Sequence, residues 1–354
     1  MSLRELFKVE GLPVFQNKMF ADSASALDCL KGDLRLVRDM ETGLIFNAAF
    51  DESLLEYDAD YQNEQACSNV FQQHLKDVRV IIERHFAGKK LIEVGCGKGY
   101  FLEYLHQSGY EITGIDPAYE GNNPRVIKAR FEASLGLTSE GIILRHVLEH
   151  ISNPFAFLSM IAQANGGKGY IYIEVPCFDW ICQHRAWFDI FYEHVNYFRT
   201  TDFYHMFGKV LESGHVFGGQ YLYVVADMAT LKKPQLDQRD TFAFPADFLS
   251  DLSSLVEIDK GKRKAIWGAA SKGVIFALYM QRLALNIDLV IDINPAKQGK
   301  FMGGSGLKVF HPNDGMSALR AGDDVFVMNS NYLQEIVSLT NNQFNYIQVD
   351  HHEL

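Results

Sequence analysis

The sequence predicts an α/β protein with two units built on parallel sheets, preceded by a small N-terminal segment. Short apolar runs alternate with helical patterns over most of the chain, as in parallel sheets covered by helices on both faces. Glycine-rich turns join a strand to a helix twice, at residues 95–99 and 268–273. A polar stretch with two prolines separates the two patterns. The predicted ranges are 1–65 for the N-terminal segment, 66–230 for the first unit, 231–248 for the linker and 249–354 for the second unit.

The first elements follow from short apolar pieces and then from helical periodicity. Residues 34–37 and 44–46 are apolar pieces split by glycines, which favours small strands and loops. A helix is predicted to begin near Cys67 and to end at Gly88, because apolar residues between them recur at helical spacing. These residues are Val70, Phe71, Leu75, Val78, Ile82 and Phe86.

The later elements alternate between strand and helix. Asn153 caps the third helix of the first unit, and Pro154 occupies its first turn. The predicted strands of the first unit are 90–94, 111–115, 141–144, 169–175 and 221–226, and its later helices are 100–107 and 155–164. The second unit is predicted to contain strands at 264–267, 288–293, 324–328 and 344–349 and a helix at 274–282.

Composition and charge exclude several classes of protein. Of the 354 residues, 47% are apolar, which is too many for a disordered chain. The formal net charge of −11 repels nucleic acid and anionic lipid, so neither is an expected partner. No apolar run approaches the roughly 18 residues of a membrane span. Because Glu5 and Glu10 interrupt any N-terminal signal sequence, we expect a soluble, cytoplasmic protein.

The cysteines argue against a disulfide framework and against a zinc site. Their number is odd, and no Cys-x-x-Cys pair occurs. Free cysteine is among the most frequently buried residue types, so core positions are predicted and no metal is expected. The five are Cys29, Cys67, Cys96, Cys177 and Cys182.

The first glycine-rich turn has the position and spacing of a ligand-binding loop. It lies where a strand meets a helix, and open α/β sheets bind ligands there. A dinucleotide fingerprint would need glycine at position 100, which is Tyr100. Glu93, two residues before the first glycine, suits a cationic amino group. Asp116, at the end of the next strand, is placed to accept hydrogen bonds from ribose hydroxyls.

These segments resemble the cofactor site of class I methyltransferases that use S-adenosylmethionine. The sequence Glu-Val-Gly-Cys-Gly-Lys-Gly is followed by Gly-Ile-Asp-Pro and later by the segment His-Val-Leu-Glu-His at 146–150. The resemblance implies a Rossmann-like methyltransferase domain with S-adenosylmethionine as its cofactor. It implies that Gly95 and Gly97 lie against the methionine part of the cofactor. The implied cofactor-binding residues are Glu93, Gly95, Cys96, Gly97, Asp116, Pro117, Arg145 and His146. The alternative is a Rossmann-like domain with an unrelated use of the loop.

Two further segments are similar to sugar C-methyltransferases, which act on nucleotide-linked keto-deoxysugars. Residues 174–176 with 188–198 resemble the Glu-Val-Pro and Tyr-His-Glu-His segments of that family. Residues 268–273 and 292–300 resemble its C-terminal domain, a second and smaller Rossmann-like unit. The sequence departs from the family in lacking its N-terminal zinc cysteines. It also has Phe191 where the family has a tyrosine, which leaves the acceptor open.

The implied reaction on carbon needs a base, because a proton beside a ketone must be removed first. Histidine titrates nearest to neutral pH, so His194 is the candidate base, with Glu193 or Tyr192 orienting it or polarising the carbonyl. Tyr61 resembles a tyrosine of the family's lid segment and is a further catalytic candidate. The alternatives are a histidine that packs the domain interface and a surface tyrosine in a loop. For His146, a place near the methyl group and a place at the sheet end both remain open.

The second glycine-rich turn is a candidate site for the acceptor. Backbone N–H groups at the helix start, with Lys272 as a point charge, suit a diphosphate. Ser271 and Ala270 complete the predicted substrate-binding set. The alternative is a decayed dinucleotide domain retained for packing.

The predicted partner is a small-molecule acceptor, most simply a nucleotide-linked sugar. O- or N-methylation of a sugar or of another small metabolite is the nearest alternative. A non-catalytic subunit that binds a nucleotide or sugar is an alternative of another class, and a nicotinamide oxidoreductase is a third. The sequence does not specify the oligomeric state.

Overall fold

The fold is taken from a computed structural model, which describes residues 2–55, 68–250, 252, 255 and 261–350. Within these residues the chain forms an N-terminal antiparallel sheet, a mixed sheet of seven strands and a parallel sheet of five strands. The α/β fold class with two Rossmann-like units is confirmed. No helix among the described residues has both the length and the apolar character that crossing a membrane requires.

The N-terminal segment is an antiparallel sheet in the order β1-β3-β4. Its elements are β1 (Leu3–Pro13), β2 (Met19–Phe20), α1 (Ser23–Leu27), β3 (Lys31–Asp39) and β4 (Ile45–Asn47). The short strand β2 pairs outside this sheet, with a strand of the C-terminal unit. The segment therefore contacts a unit that lies far from it in the sequence.

The first large unit is built on seven strands in the order β10-β11-β9-β8-β5-β6-β7. These strands are β5 (Leu91–Val94), β6 (Ile112–Ile115), β7 (Val126–Ile127), β8 (Gly141–Arg145), β9 (Tyr170–Pro176), β10 (Val210–Val216) and β11 (Tyr221–Asp227). All neighbouring strands are parallel except β11, which is antiparallel to both β9 and β10. The helices are α2 (Asn69–Phe86), α3 (Tyr100–Gln107), α4 (Pro154–Ala164), α5 (Phe178–Gln183) and α6 (Thr200–Met206).

The C-terminal unit is a parallel sheet in the order β15-β13-β12-β16-β17. Its strands are β12 (Lys264–Trp267), β13 (Leu289–Ile291), β14 (Phe301–Met302), which pairs with β2, β15 (Val309–Phe310), β16 (Asp324–Val327) and β17 (Asn345–Gln348). Its helices are α7 (Ser271–Arg282), α8 (Pro312–Ser317) and α9 (Leu333–Leu339).

In both units the first strand lies inside the sheet, between two parallel neighbours. The chain reaches one neighbour by a connection to one side and the other neighbour by a connection to the opposite side. The strand β5 lies between β6 and β8, and β12 lies between β13 and β16. Such a switch point opens a crevice at the carboxyl ends of the strands. The glycine-rich turns follow β5 and β12, so both turns lie at the edges where ligands bind.

The predicted linker is packed against the rest of the protein. Asp240 forms ion pairs with Arg38 of the N-terminal sheet and Arg199 of the first unit. Both arginine side chains are nearly buried, and the ring of Phe242 lies close to each guanidinium. The segment therefore connects the sheets through a buried ionic cluster.

Candidate functional site

One cavity of about 420 Å³ lies at the carboxyl ends of both large sheets. The first unit contributes the loops that follow β5, β8 and β9 to its lining, and the C-terminal unit contributes the loops that follow β12, β13 and β16. The two glycine-rich turns that line the cavity belong to different units. The lining from the first unit is called the donor half below, and the lining from the C-terminal unit is the other half. Glu149, His150 and His194 also line the cavity, and His194 lies close enough to both His146 and Lys272 to feel their charges, so the two halves meet near it.

The turn after β5 is shaped by backbone that favours glycine. Gly95, Gly97 and Gly99 all have positive φ angles, of +73°, +53° and +78°. A Cβ on Gly95 would lie 2.3 Å from Cγ2 of Val147, so a side chain is excluded there by contact as well as by conformation. The Gly97 N–H donates to Oδ2 of Asp116 over 2.8 Å, which fixes the turn against the end of β6.

Glu93 on β5 is a buried acid with capacity to accept further hydrogen bonds. Its side chain lines the cavity, and only 3% of the residue is exposed. Burial raises its pKa to about 7, although the charge of Arg145 opposes that shift. Its Oε2 atom has no hydrogen-bond partner in the described part of the chain. An acid that burial makes costly to ionise, with an open acceptor, is suited to a cationic ligand.

Glu174 on β9 binds three side chains of the first unit, two of which line the donor half of the cavity. It is fully buried and accepts from Nη2 of Arg145, Nε2 of His146 and Nε2 of His74 over 3.0, 3.1 and 3.0 Å. Burial alone would raise the pKa of Glu174, but the cationic partners outweigh it and hold the pKa well below its usual range. His146 also contacts Glu149, and although burial lowers its pKa, the two carboxylates raise it to about 9. His146 is therefore an imidazolium at neutral pH.

His150 and His194 face each other where the two halves of the cavity meet. Their ring centroids lie 5.0 Å apart with the planes tilted by 70°. His150 donates from Nδ1 to the carbonyl oxygen of Glu193 over 2.8 Å, so its Nε2 atom carries a lone pair. The pKa of His194 is well below 6.5, mainly because burial disfavours the imidazolium and also because His150 and His146 lie nearby. His194 is thus a neutral imidazole at neutral pH.

Glu149, His150 and His194 are also close enough to share a metal ion. One ligand atom from each lies within 4.8 Å of the others. The absence of a metal, expected from the sequence, stays a prediction. The imidazolium of His146 contacts Glu149 at 3.4 Å, and its positive charge opposes a divalent cation at this place.

Two of the predicted catalytic side chains, Tyr192 and Glu193, are not among the described residues that line the cavity. The hydroxyl of Tyr192 accepts from the N–H of Asp51 over 2.8 Å, and its ring packs against Gly32. Glu193 Oε2 accepts from the N–H of Gln16 over 2.8 Å. Both side chains therefore fasten the N-terminal segment, and their catalytic roles stay predictions without a contact to the cavity. Tyr61 lies outside the described residues.

Phe191 and most of the predicted cofactor-binding residues line the donor half, whereas two of those residues do not. The ring of Phe191 lies 3.9 Å from that of His194 between centroids and forms part of the wall. The lining includes Glu93, Gly95, Cys96, Gly97, Arg145 and His146. Asp116 and Pro117 are not among the described lining residues, and the Asp116 carboxylate accepts from the N–H groups of Gly97 and Ala118.

The predicted substrate residues Ala270, Ser271 and Lys272 line the other half. The ammonium of Lys272 is already bound, at 3.1 Å from Oδ2 of Asp189 and at 2.9 Å from Oε1 of Gln220. It therefore joins the two units, which the sequence did not indicate. Ala270 is the N-cap of α7 and supplies no side-chain hydrogen bond to the first turn.

The structure adds site residues that the sequence analysis did not assign. Glu149 and His150 were quoted only as part of a motif, although both line the cavity. Asp292 and Lys297 line its C-terminal half and are buried. An acid directly after the second strand of a Rossmann-like unit was the available signal for Asp292, as it was for Asp116. Nothing in the spacing marked Lys297.

Comparisons with known proteins agree with this architecture. Residues 63–210 match the family model described as "Methyltransferase domain", and residues 241–346 match the one described as "C-methyltransferase C-terminal domain". The C-methyltransferase NovU of Streptomyces niveus is 24% identical over 313 residues, which cover 76% of this chain and 73% of that protein. The chain belongs to the class I S-adenosylmethionine-dependent methyltransferases.

Other relatives of the methyltransferase match shorter parts of it. A ubiquinone biosynthesis O-methyltransferase of Ruegeria pomeroyi is 32% identical over 91 residues, 22% of this chain and 36% of that protein. Among solved structures, the 1,6-didemethyltoxoflavin-N1-methyltransferase of Burkholderia thailandensis is 13% identical with a TM-score of 0.34, covering 54% of this chain and 97% of that one. The methyltransferase from Archaeoglobus fulgidus is 18% identical with a TM-score of 0.32, covering 45% and 100%.

The donor half of the methyltransferase suits S-adenosylmethionine. Glu93 offers a buried acceptor to the donor's ammonium group, and the positive φ angles of the glycine turn let backbone approach a ligand closely. When bound, S-adenosylmethionine supplies an electrophilic methyl group. Glu93 and the glycine turn are the residues that would hold it, and nearby the imidazolium of His146 balances the carboxylates of Glu149 and Glu174.

Substitution of Gly95 by alanine is expected to weaken S-adenosylhomocysteine binding by about tenfold or more. The added methyl group would meet Val147, and the turn would have to move. Gly109→Ala is the matched control, because Gly109 also has a positive φ but a Cβ there meets nothing within 4 Å. Calorimetry measures the S-adenosylhomocysteine affinity of both variants and separates the effect of the contact with Val147 from that of backbone strain. Equal affinities for the two variants would contradict the assignment of this turn to the donor.

Proposed function

We propose that the methyltransferase transfers a methyl group to a carbon beside a ketone in a nucleotide-linked sugar, with His194 as the base. The observation that carries the proposal is that one cavity is lined by the glycine turn of the donor half, by His194 and by the glycine turn of the C-terminal unit. An acceptor with a reactive sugar at its centre and an anionic nucleotide at one end fits such a cavity. Donor and acceptor then meet at the histidines.

The state of His194 supports a role as proton acceptor. Because its pKa lies well below 6.5, the ring is neutral throughout the neutral range and its nitrogen lone pair is available. The surrounding rings of Phe191 and Tyr197 exclude water from one side of it. A neutral histidine shielded from water suits removal of a carbon-bound proton, because water would otherwise compete for the imidazole lone pair.

The proposed reaction balances without any further reactant. The base takes the proton on the carbon beside the ketone, and the electron pair of that C–H bond forms an enolate. The enolate carbon attacks the methyl group, a carbon–carbon bond forms, and the electron pair of the broken carbon–sulfur bond stays on sulfur. Catalysis depends on holding both reactants in line, and we propose that they are held so where the two halves meet.

His150 is a second candidate for the base, because its geometry is that of an oriented imidazole. Its Nδ1–H is held by the Glu193 carbonyl, which leaves the Nε2 lone pair free to accept a proton. The lowered pKa of His194 keeps its ring neutral and its lone pair available, at the cost of some basicity. We therefore propose His194 as the base and His150 as the group that polarises or positions the carbonyl.

The acceptor assignment rests on the C-terminal unit and on a relative. The match to a C-methyltransferase C-terminal domain and the similarity to the C-methyltransferase NovU both support methylation at carbon. The nucleotide end is proposed to lie near Ala270, Ser271 and Lys272, where the α7 helix begins. The cytoplasmic location predicted from the sequence stays a prediction.

Isotope labelling tests the proposed function directly. The protein is incubated with S-adenosylmethionine carrying a ¹³C methyl group and with 4-keto-6-deoxysugars linked to dTDP or UDP. We expect the ¹³C methyl group to be bonded to a ring carbon of the sugar, identified by its chemical shift and couplings in NMR of the product. A methyl group found on oxygen or nitrogen, or no transfer to any keto-sugar nucleotide, would overturn the proposal.

Removal of divalent metal is expected to leave methyl transfer unchanged within about twofold. The positive charge of His146 opposes a cation beside Glu149, and His194 as a base needs its lone pair for the proton. Dialysis against EDTA followed by the labelled-methyl assay measures this, with Zn²⁺ or Mn²⁺ added back to a parallel sample. Loss of activity that the added metal restores would show that the three-residue cluster binds a catalytic ion.

A further inference from the structure

Asp292 in the C-terminal unit repeats the hydrogen bonds of Asp116 in the first unit. In both cases Oδ2 accepts from a backbone N–H of the glycine-rich turn, over 2.8 Å for Gly97 and 2.7 Å for Ala269. In both cases Oδ1 accepts from the N–H two residues later in the chain, over 2.8 Å. The same carboxylate arrangement therefore occurs beside the glycine-rich turn of each unit.

The two acids also have the same place in the topology. Asp116 follows β6, the parallel neighbour of β5, and Asp292 follows β13, the parallel neighbour of β12. In Rossmann-like units an acid here accepts hydrogen bonds from a pentose of the bound nucleotide. Each carboxylate oxygen uses one acceptor position on the backbone and keeps another for a ligand hydroxyl.

A buried cation lies beside Asp292. Lys297 is 4% exposed, lines the cavity, and has Oδ2 of Asp292 at 3.7 Å from its ammonium nitrogen. Within the described residues this ammonium makes no hydrogen bond, although it has three donors. A buried ammonium with unused donors, reachable from a cavity, is suited to an anionic group on a ligand.

The glycine-rich turn after β12 packs closely against the start of α7. Because its glycines carry no side chains, a ligand can approach the backbone of the turn. Gly268 has a φ of +116°, and a Cβ on Gly273 would lie 1.9 Å from the carbonyl oxygen of Gly268. Both positions thus exclude a side chain. The first-turn N–H groups of α7 receive no side-chain cap from Ala270.

We propose that Asp292 and Lys297 form a nucleoside diphosphate site, in which Asp292 binds a pentose hydroxyl and Lys297 binds a phosphate oxygen. The identification of this ligand with the nucleotide end of the acceptor rests on the proposed function. The site is separate from the donor's, because its residues belong to the other sheet. Lys272, which is bound to Asp189 and Gln220, instead fastens α7 to the first unit.

Calorimetry on the full chain saturated with S-adenosylhomocysteine tests this site. UDP, dTDP and inorganic pyrophosphate are titrated separately. A nucleoside diphosphate is expected to bind about tenfold tighter than pyrophosphate, because only the former reaches Asp292. Lys297→Met is expected to weaken its binding about tenfold or more and to leave S-adenosylhomocysteine affinity unchanged. Lys308→Met, which removes the same charge from an exposed position of the same unit, is expected to change neither affinity.

Three results would overturn the assignment. They are binding of neither UDP nor dTDP, equal binding of pyrophosphate and nucleoside diphosphate, and unchanged nucleotide affinity in Lys297→Met. If that variant does not fold, hydrogen exchange of the unaltered protein decides, since nucleotide must slow exchange in 289–300. If the protein binds no nucleotide but methylates a keto-sugar that carries none, the nucleotide site is wrong. The proposal of His194 as the base would be unaffected by that result.

Discussion

Replacing His194 with glutamine is expected to lower methyl transfer by about 10²- to 10⁴-fold, the range that loss of a general base produces. Glutamine keeps a polar side chain of similar size but cannot take a proton from carbon. Affinity for S-adenosylhomocysteine should stay within about twofold, because the donor is held by the turn after β5. The labelled-methyl assay and calorimetry measure the two quantities on the same preparation.

A structural role for His194 would also reduce activity, so the proton step needs its own readout. The protein is incubated in D₂O with S-adenosylhomocysteine and a keto-sugar nucleotide, which permits proton removal without methyl transfer. We expect deuterium at the reacting carbon with the unaltered protein and with His215→Gln, a matched change at an exposed histidine on β10. Exchange that survives in His194→Gln and disappears in His150→Gln would assign the base to His150 instead.

The pH dependence of the reaction follows from the same lowered pKa. Since the pKa of His194 is well below 6.5 in the folded protein, lowering the pH from 8 to 6.5 does not protonate it. The kcat/KM of the unaltered protein should therefore lack an acid limb from this group over that interval. A fall centred near 6.5 would mean that the base titrates as an exposed histidine does.

The sequence predicted the parts of the fold that depend on local pattern. The strand 264–267 and the helix 100–107 agree with the structure residue for residue, because turn glycines bound them sharply. The long strand β1 was missed, since its polar and apolar residues do not alternate and a register shift interrupts it. The helix α7 begins at Ser271, three residues before the predicted start, because the turn passes directly into the helix.

Site residues that lie within one short segment could be predicted from the sequence. Contacts between residues from distant segments could not. The donor turn and Asp116 follow from a strand–turn–helix pattern of fewer than thirty residues. The neighbours of His194 come from β8 and β9 loops, and Glu193 turns away to the amide of Gln16, 177 residues earlier in the chain. Adjacent residues on an irregular segment face different ways, and only the folded chain decides which one faces the cavity.

Replacing Glu174 with glutamine is expected to destabilise the folded protein by about 3–5 kcal/mol, the cost of leaving a buried charge without its partner. The carboxylate is fully buried, and it balances the guanidinium of Arg145 and the imidazolium of His146. A glutamine would remove that charge, and its NH₂ group would face N–H donors that need an acceptor. Urea unfolding at pH 7 measures the loss, with Tyr172→Phe as control, which removes one hydrogen bond to Glu174 and should cost about 1 kcal/mol.

The pH dependence of that loss distinguishes charge from packing. Because the folded-state pKa of Glu174 is lowered, its contribution is fully present above the unfolded value of 4.5 and disappears as the pH falls towards the folded value. The difference in unfolding free energy between the two proteins should thus shrink below pH 4.5. A difference that is constant with pH would assign the effect to shape. A loss below about 1 kcal/mol at pH 7 would mean that Arg145 and His146 find other counter-charges, such as Glu93 and Glu149, which lie on either side of them.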